Sequence, residues 1–147
     1  MVRINLINPV KLADQHLIAE YDDILMLLGY VKKYPKLGEI PSEYTLGKGH
    51  ILFFKNKLKY LKKRHDRIKI EMGKRDFKAS KSINLNKFNQ KLIQDWKPSK
   101  GDIEIIKKRL VDRIKSKPKF YRYYTKHRTK KFLIELIKEN KAISLIS

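Results

Sequence analysis

Residues 12–34 read LADQHLIAEYDDILMLLGYVKKY, and this stretch predicts the first long helix of the chain. Its apolar side chains recur at steps of three and four residues, which places them on one face of an α-helix. They are Leu17, Ile18, Tyr21, Ile24, Leu25, Leu28 and Val31. Pro35 ends the pattern, because proline cannot continue a helix. The opposite, polar face carries Gln15, Asp22 and Asp23.

Two more long segments have helical periodicity, whereas strand-like alternation is scarce. We predict a second helix from Ile51 to Gly73, a third from Asp102 to Ser116, and a short amphipathic helix from Lys130 to Lys141. Long loops at 35–50 and 74–101 connect them, and the second loop carries apolar residues that can tether it to the core. These are Phe77, Phe88, Leu92, Ile93 and Trp96. The predicted fold is all-α, a single compact domain of three main helices with long loops and an extra short C-terminal helix.

The charge of the chain limits its partners. At 147 residues the length favours one domain, and 36 Lys and Arg against 15 Asp and Glu give a net charge of +21. Such an imbalance is self-repulsive and is most simply explained by a polyanionic partner, for which nucleic acid is the leading candidate. A membrane is a weaker candidate, because no apolar stretch approaches the roughly 20 residues that a span needs and no signal-peptide pattern begins the chain.

Several classes of site have no support in the sequence. The chain has no cysteine, which removes disulfides, thiolate catalysis and cysteine-bound zinc. Its histidines are too dispersed for a local metal motif. They are His16, His50, His65 and His127. The only glycine-rich candidate, residues 47–49, is too short for a phosphate-binding loop. We therefore predict no metal and no cofactor.

The amino terminus is a candidate nucleophile. A small residue such as Val2 allows the initiator methionine to be removed, which frees the α-amine of Val2. An α-amine titrates near pH 8 and a lysine near about 10.4, so the α-amine is more often neutral and nucleophilic. Asp22 and Asp23 could raise each other's proton affinity and move a proton beside it. The alternatives are an exposed acidic pair without a function and, for His16, a purely structural histidine.

Near the C-terminus, aromatic residues alternate with cations in KFYRYYTKHR, residues 119–128. Flat rings can stack on bases while lysines and arginines neutralise phosphates, so the segment is a candidate nucleic-acid surface. The alternative is that every second aromatic residue belongs to the core and the cations form a solvated edge. The many basic residues of the second helix likewise suit phosphate contacts, although each alone could be solvated.

Three segments together resemble one known family. MVRINLINPVKLADQHLIAEY, TLGKGHILFFKNKLKYLKKR and RLVDRIKSKPKFYRYYTK are similar, in the same order, to the signature segments of the bacteriophage-type pyrimidine-dimer DNA glycosylases, also called endonuclease V. The resemblance covers most of residues 1–126, and 127–147 look like a C-terminal helical extension. It implies a compact all-α fold in which the N-terminus lies between three helices. It also implies a metal-independent reaction in which an N-terminal α-amine forms an imine at C1′ and β-elimination cuts the strand.

The resemblance assigns roles to residues of this chain. It makes the α-amine of Val2 the nucleophile and puts the family's catalytic glutamate at Asp23. Positions that hold the substrate fall on Arg3, Gln15, His16 and Tyr21, with Asp22 and Met26 beside them. The expected DNA-facing residues are Arg109, Arg113, Lys117, Phe120, Tyr121, Arg122, Tyr123 and Tyr124. The implied partner is double-stranded DNA with pyrimidine dimers or abasic sites, bound by a monomer in the cytoplasm with the genome, or in a host cell if a virus encodes the protein.

Four departures from the family leave alternatives open. Val2 replaces a threonine, Asp23 is one methylene shorter than the family's glutamate, and Asp22 and Met26 replace two arginines. A carboxylate displaced by about an ångström can cost ~10²-fold in rate. One alternative is therefore an AP lyase, or a glycosylase for another lesion, without a preference for dimers. Another is a non-catalytic basic protein that binds nucleic acid.

Overall fold

The structure is a computed structural model that describes residues 2–139 of the 147. Its α-helices run in the order α1 (Asp14–Lys33), α2 (His50–Phe54), α3 (Leu58–Lys74), α4 (Lys100–Ser116) and α5 (Lys130–Lys138). Short 3₁₀ turns lie at Pro9–Lys11 and Gln90–Leu92, and a small hairpin consists of β1 (Arg122–Tyr123) and β2 (Lys126–His127). The all-α prediction is confirmed, with this hairpin as an addition. No helix within residues 2–139 is long and apolar enough to cross a membrane.

Helix α1 forms where its periodicity predicts it. Its buried apolar side chains face the core. They are Leu17, Tyr21, Ile24, Leu27, Leu28 and Val31. Asp14 lies in the first turn and Lys32 and Lys33 lie in the last, so the charges at both ends interact favourably with the helix dipole and stabilise the helix. The helix packs along α3, and this pair forms the centre of the molecule.

The predicted second helix is divided in the structure. We expected one helix from Ile51 to Gly73, but α2 ends at Phe54 and α3 begins at Leu58. Lys57 leaves helical geometry, with φ −123° and ψ 39°, and forms an isolated antiparallel bridge with Ile93. The ammonium of Lys57 donates to the carbonyl of Phe53 at 2.7 Å and so satisfies an end of α2. The single-helix prediction was wrong because a distant part of the chain pairs at this point.

The long loop between α3 and α4 is attached to the core, as predicted. Leu92 is buried, and the other four apolar residues of the loop that we named are partly buried against the core. Trp96 packs edge-on against Phe53, Phe54 and Tyr60, with ring centroids 5.1 to 5.6 Å apart. The loop therefore closes over α2 and the start of α3.

Helices α4 and α5 begin at side-chain caps. Ser99 and Asp102 form a reciprocal capping box, which starts α4 at Lys100, two residues before the predicted start. The Thr129 side chain accepts from the Phe132 N–H and starts α5. Helix α5 packs on α4, and its buried residues are Leu133, Leu136 and Ile137. Part of its predicted length, residues 140–141, lies outside the described residues.

The hairpin turns at two residues that are rarely left-handed. Tyr124 and Thr125 have φ of 51° and 66°, and the strands pair Arg122 with His127 and Tyr123 with Lys126. Two positive φ values give the turn that matches strand twist, but they are costly for residues other than glycine, asparagine or aspartate. The turn therefore needs outside support, and the Asp14 carboxylate accepts both of its N–H groups, at 3.0 and 2.7 Å.

Candidate active site

The amino-terminal segment is buried and tied to α1. Val2 is 7% exposed, and the backbone N–H of Arg3 donates to Oδ2 of Asp23 at 3.1 Å. Because three covalent bonds separate the Val2 and Arg3 nitrogens, the Val2 nitrogen lies within about 7 Å of that oxygen. The structure thus brings together Val2 and Asp23, the two residues that the sequence made candidates for catalysis.

Ile4 holds the same segment from the other side. Its N–H donates to Nε2 of His50 at 2.9 Å, and its carbonyl accepts from the hydroxyl of Tyr44 at 3.0 Å. The other ring nitrogen of His50, Nδ1, lies 2.8 Å from the carbonyl of Thr45, so it carries the proton and leaves Nε2 as an acceptor. Further along, Arg64 on α3 donates to the carbonyl of Ile7. Residues 2–7 therefore lie among α1, α2 and α3.

Sequence reasoning missed His50 and Tyr44 as positioning residues. Their contacts with Ile4 span 46 and 40 residues, and neither has a spacing that signals the contact. Burial lowers the pKa of His50 to about 4 and raises that of Tyr44 well above its ordinary value. Both side chains are therefore neutral near pH 7, which the two hydrogen bonds require.

The surroundings of Asp23 act on its pKa in opposite directions. It is half-buried, and this loss of solvent raises its pKa above the ordinary range. The hydrogen bond from Arg3 acts in the opposite direction, while the neighbouring charges of Glu20 and Asp22 raise the pKa further. A carboxylate whose pKa is raised can hold a proton more readily at moderate pH, as acid–base chemistry requires.

A cluster of three arginines lies next to this site. We define the arginine cluster as Arg3 with Arg109 and Arg113, which are one turn apart on α4. Burial lowers the pKa of Arg109, and repulsion by Arg113 and Arg3 lowers it further. Burial and Arg113 act in the same way on the pKa of Arg3. Within residues 2–139, none of the three forms an ion pair with a carboxylate.

His16 is uncharged at the edge of the arginine cluster. Burial, followed by repulsion from Arg109 and Arg113, lowers its pKa to about 4. Its ring packs on Tyr121, with centroids 4.6 Å apart, and its buried Nδ1 has no hydrogen-bond partner. The structure therefore supports a neutral histidine here, and its contact with substrate stays a prediction.

Gln15 and Tyr21 are engaged by the protein itself. The Gln15 side chain donates to the carbonyl of Phe120 at 2.8 Å and accepts from the N–H of Arg122 at 3.0 Å. The ring of Tyr21 stacks on His65 with centroids 4.7 Å apart, and its hydroxyl accepts from the N–H of Lys81. Two residues along a helix lie about 200° apart, so Tyr21 and Asp23 occupy nearly opposite sides of α1.

Asp22 and Met26 form the exposed surface next to Asp23. Met26 is 62% exposed, and Asp22, one turn earlier, is exposed as well. A third acidic residue nearby on α1, Glu20, is instead fully buried and forms a bidentate ion pair with Arg64 of α3. Glu20 is thereby committed to the core, which leaves Asp22 and Asp23 as the carboxylates that a ligand could meet on this part of α1.

The predicted DNA-facing residues divide into two groups. Five are exposed, and these are Arg113, Lys117, Phe120, Arg122 and Tyr124. Arg109 is partly buried, whereas Tyr121 and Tyr123 are only 6% and 5% exposed. The rings of these two tyrosines pack inward and are not available for stacking on bases. For them the structure agrees with the alternative that every second aromatic residue belongs to the core.

The acidic and histidine side chains are spread over the molecule. Within the part of the chain that the structure describes, no group of three or more His, Asp or Glu side chains is arranged to bind one. The site itself combines the buried amino-terminal segment, the half-buried carboxylate of Asp23 and the arginine cluster.

A comparison with protein families gives a match to part of the chain. The family model described as pyrimidine dimer DNA glycosylase matches residues 1–85, which is more than half of the sequence. The match includes the amino-terminal segment, α1, α2 and α3, and therefore Val2, Asp23 and His50. Helix α4, the hairpin and α5 lie beyond it.

Proposed function

Because the chain belongs to the pyrimidine dimer DNA glycosylase family, we propose that it removes the damaged base through an imine and then cuts the strand as an AP lyase. In this proposal Met1 is removed and the α-amine of Val2 is the nucleophile. The observation that carries it is the 3.1 Å hydrogen bond between the Arg3 N–H and Asp23, since it keeps the first residues of the processed chain beside a carboxylate.

The proposed reaction begins at C1′ of the damaged nucleotide. The neutral amine attacks C1′, the glycosidic C1′–N bond breaks, and its electron pair leaves with the base, which takes up a proton. The nitrogen, now bonded to C1′, loses its two protons, one to the departing base and one to O4′, as the C1′–O4′ bond breaks, which opens the sugar ring and gives the imine. A base then removes a proton from C2′, the C3′–O bond breaks, and the 3′ phosphate leaves; water finally releases the enzyme. Asp23 stabilises the cationic sugar and transfers these protons, a role suited to its raised pKa.

The surroundings of the site suit damaged duplex DNA. An enzyme that reacts at C1′ must distort the duplex and displace a nucleotide, which costs a few kcal/mol. Phosphate contacts can offset this cost, and the arginine cluster provides three cations without carboxylate partners within residues 2–139. We further propose that the protein acts as a monomer in the cytoplasm, where the genome lies.

A second candidate function is an AP lyase with little preference for dimers. The exposed Asp22 and Met26 favour it, because a carboxylate at this surface repels phosphate and neither side chain can clamp distorted DNA as arginine can. Turnover on a duplex with a dimer and on a duplex with an abasic site separates the two functions. Cleavage of both supports the glycosylase, whereas cleavage of the abasic duplex alone supports the lyase.

Borohydride trapping tests the nucleophile. Reduction of the imine must yield a covalent complex between the protein and an abasic duplex, and blocking the α-amine must abolish it. Selective acetylation near pH 6.5 is feasible because an α-amine titrates near 8 and lysines near about 10.4. Val2→Leu, whose bulk favours retention of Met1, provides a second block, and Val2→Thr is the matched control that keeps a processed amine. Equal trapping by acetylated and untreated protein would show that a lysine is the nucleophile.

A further inference from the structure

One strongly basic segment lies outside the site described above. Residues 126–131 read KHRTKK, and all six are exposed. We call this segment the basic arm. It begins on β2, continues through Thr129, the cap of α5, and ends in the first turn of α5. The family match ends at residue 85, so no role comes to the basic arm from that match.

Carboxylates of the described residues do not neutralise the basic arm, and its one aromatic contact places the Arg128 guanidinium 3.9 Å from the centroid of the Phe132 ring. Among the described residues, none of its lysines or arginines forms an ion pair, whereas lysines on α3 and α4 pair with Asp66, Asp95 and Asp112. Lys130 and Lys131 also occupy the first turn of α5, where no acidic residue is present. Cations at a helix N-terminus oppose the helix dipole, so an external anion would relieve an unfavourable arrangement.

The basic arm is held in place by buried contacts. Asp14 accepts hydrogen bonds from both residues of the preceding turn, and its carboxylate is itself fixed by Arg75 at 3.0 Å. At the other end, α5 is anchored on α4 through its buried residues Leu133, Leu136 and Ile137. A surface fixed before binding loses less conformational entropy when a ligand binds.

The basic arm also continues the cationic surface of the candidate active site. Tyr121 packs against His16, whose pKa is affected by Arg109 and Arg113 of the arginine cluster. Arg122 follows directly, and its strand pairs with β2, on which the basic arm begins. A polyanion seated on the arginine cluster can therefore extend along Arg122 to the basic arm.

We propose that the basic arm binds the phosphate backbone of duplex DNA beside the lesion and so lengthens the DNA contact beyond the active site. This inference rests on the proposed function for the identity of the polyanion. The six residues of the basic arm span at most about 22 Å, which is less than one turn of duplex. The basic arm thus contacts a short stretch of backbone and contributes affinity without sequence preference.

The test measures binding of an undamaged duplex by fluorescence anisotropy at several salt concentrations. Each phosphate contact contributes about 0.9 to the slope of log affinity against log salt. The arm variant carries Arg128→Gln, Lys130→Gln and Lys131→Gln, and we expect its slope to be smaller in magnitude by about 2 to 3. The matched control uses three exposed lysines near the C-terminal end of α1, Lys32→Gln, Lys36→Gln and Lys91→Gln, and it should keep the wild-type slope.

A charge-preserving variant separates charge from folding. Arg128→Lys, Lys130→Arg and Lys131→Arg together should retain the wild-type slope. The proposal is overturned if the arm variant binds like the wild type, if the far-end control loses as much, or if the charge-preserving variant loses as much. Trapping on an abasic duplex at saturating protein is recorded in parallel. If the wild type gave no trapped complex, the proposed chemistry would be refuted. The salt slopes would still show whether the basic arm binds phosphates.

Discussion

The pKa of Asp23 depends on its burial, on the neighbouring carboxylates and on a hydrogen bond from Arg3. Burial and the neighbouring carboxylates raise its pKa, and the Arg3 N–H stabilises its ionised form. The result is a carboxylate that can take up and release a proton beside the buried Val2. Asp23 and His50 accept hydrogen bonds from Arg3 and Ile4 and so hold the amino-terminal segment against α1 and α2.

Replacement of this carboxylate tests its role. We expect Asp23→Asn to lower the single-turnover rate on an abasic duplex by about 10² to 10⁴, the usual contribution of a positioned acid–base group. Binding of the same duplex should change little, because the amide oxygen can still accept from Arg3. Asp66→Asn, on the exposed surface of α3, is the matched control. A rate unchanged by Asp23→Asn would show that Asp23 does not transfer protons in the reaction, whereas the absence of cleavage by the wild type would favour the non-catalytic alternative.

The buried histidines predict how stability depends on pH. The pKa values of His16 and His50 are about 4 in the folded protein, against an ordinary 6.5. Between these values the unfolded chain binds more protons, so stability rises with pH across this range and is lost on acidification from 6.5 towards 4. Each shift corresponds to about 3 kcal/mol.

Denaturant unfolding between pH 4.5 and 7.5 measures this dependence. We expect His50→Ala to be less stable than wild type at pH 7, since Ile4 loses its acceptor, and to show a shallower dependence on pH. His127→Ala is the control, because His127 is exposed. Parallel curves for wild type and His50→Ala would contradict the assignment of a neutral, buried His50.

At the scale of elements, the first turn of α1 and the hairpin form one unit. Asp14 binds the hairpin turn, Gln15 binds the backbone on both sides of Tyr121, and Arg75 lies over the rings of Tyr123 and Tyr124 at 4.7 Å. The hydroxyl of Tyr124 donates to Glu71, which also accepts from Arg75. These contacts join α1, α3 and the hairpin through a polar network with little exposure.

Removal of Asp14 should loosen this unit. Asp14→Ala removes one of the carboxylates that bind Arg75, and it leaves the backbone N–H groups of Tyr124 and Thr125 without acceptors. Loss of one partner of a buried ion pair typically lowers the free energy of unfolding by about 3 to 5 kcal/mol. Asp66→Ala, which breaks the exposed pair with Lys62, should cost at most about 1 kcal/mol. Denaturant unfolding provides the comparison. If both variants lowered the free energy of unfolding by similar amounts, the buried network would stabilise the protein no more than an exposed ion pair does.

Some elements could be predicted from local sequence and others could not. Helices α1 and α4 were predicted nearly in full, because periodicity, Pro35 and Pro118 are local signals. The division between α2 and α3 depends on the bridge from Lys57 to Ile93, and no local signal marks it. The hairpin depends on Asp14, which is 110 and 111 residues away from the two turn residues that it supports.

At the scale of the whole molecule, the net charge is +21, and the cations of some regions form ion pairs whereas those of other regions do not. Ion pairs bind cations on α3 and on part of α4, while the arginine cluster and the basic arm have none among the described residues. These unpaired regions are joined through the hairpin. The arrangement favours a single continuous surface for a polyanion over a uniformly basic shell.

One arginine can test this surface. We expect Arg113→Gln to weaken binding of undamaged duplex and to reduce the salt slope by about 0.9, because Arg113 is exposed and has no carboxylate partner among the described residues. Lys91→Gln, an equal loss of charge in the 3₁₀ turn near the C-terminal end of α1, should leave the slope unchanged. Equal slopes for wild type and Arg113→Gln would remove the arginine cluster from the DNA contact.

The sequence alone determined the helical class, the polyanionic partner and, through its resemblance, the family, because periodicity, charge and signature segments are properties of short stretches. Tertiary structure alone decided which polar residues meet. It joined the start of the chain to Asp23 and His50, committed Glu20 to Arg64, and turned Tyr121 and Tyr123 inward. The reason is physical: a buried polar group must find a partner, and that partner is chosen by packing across the folded chain.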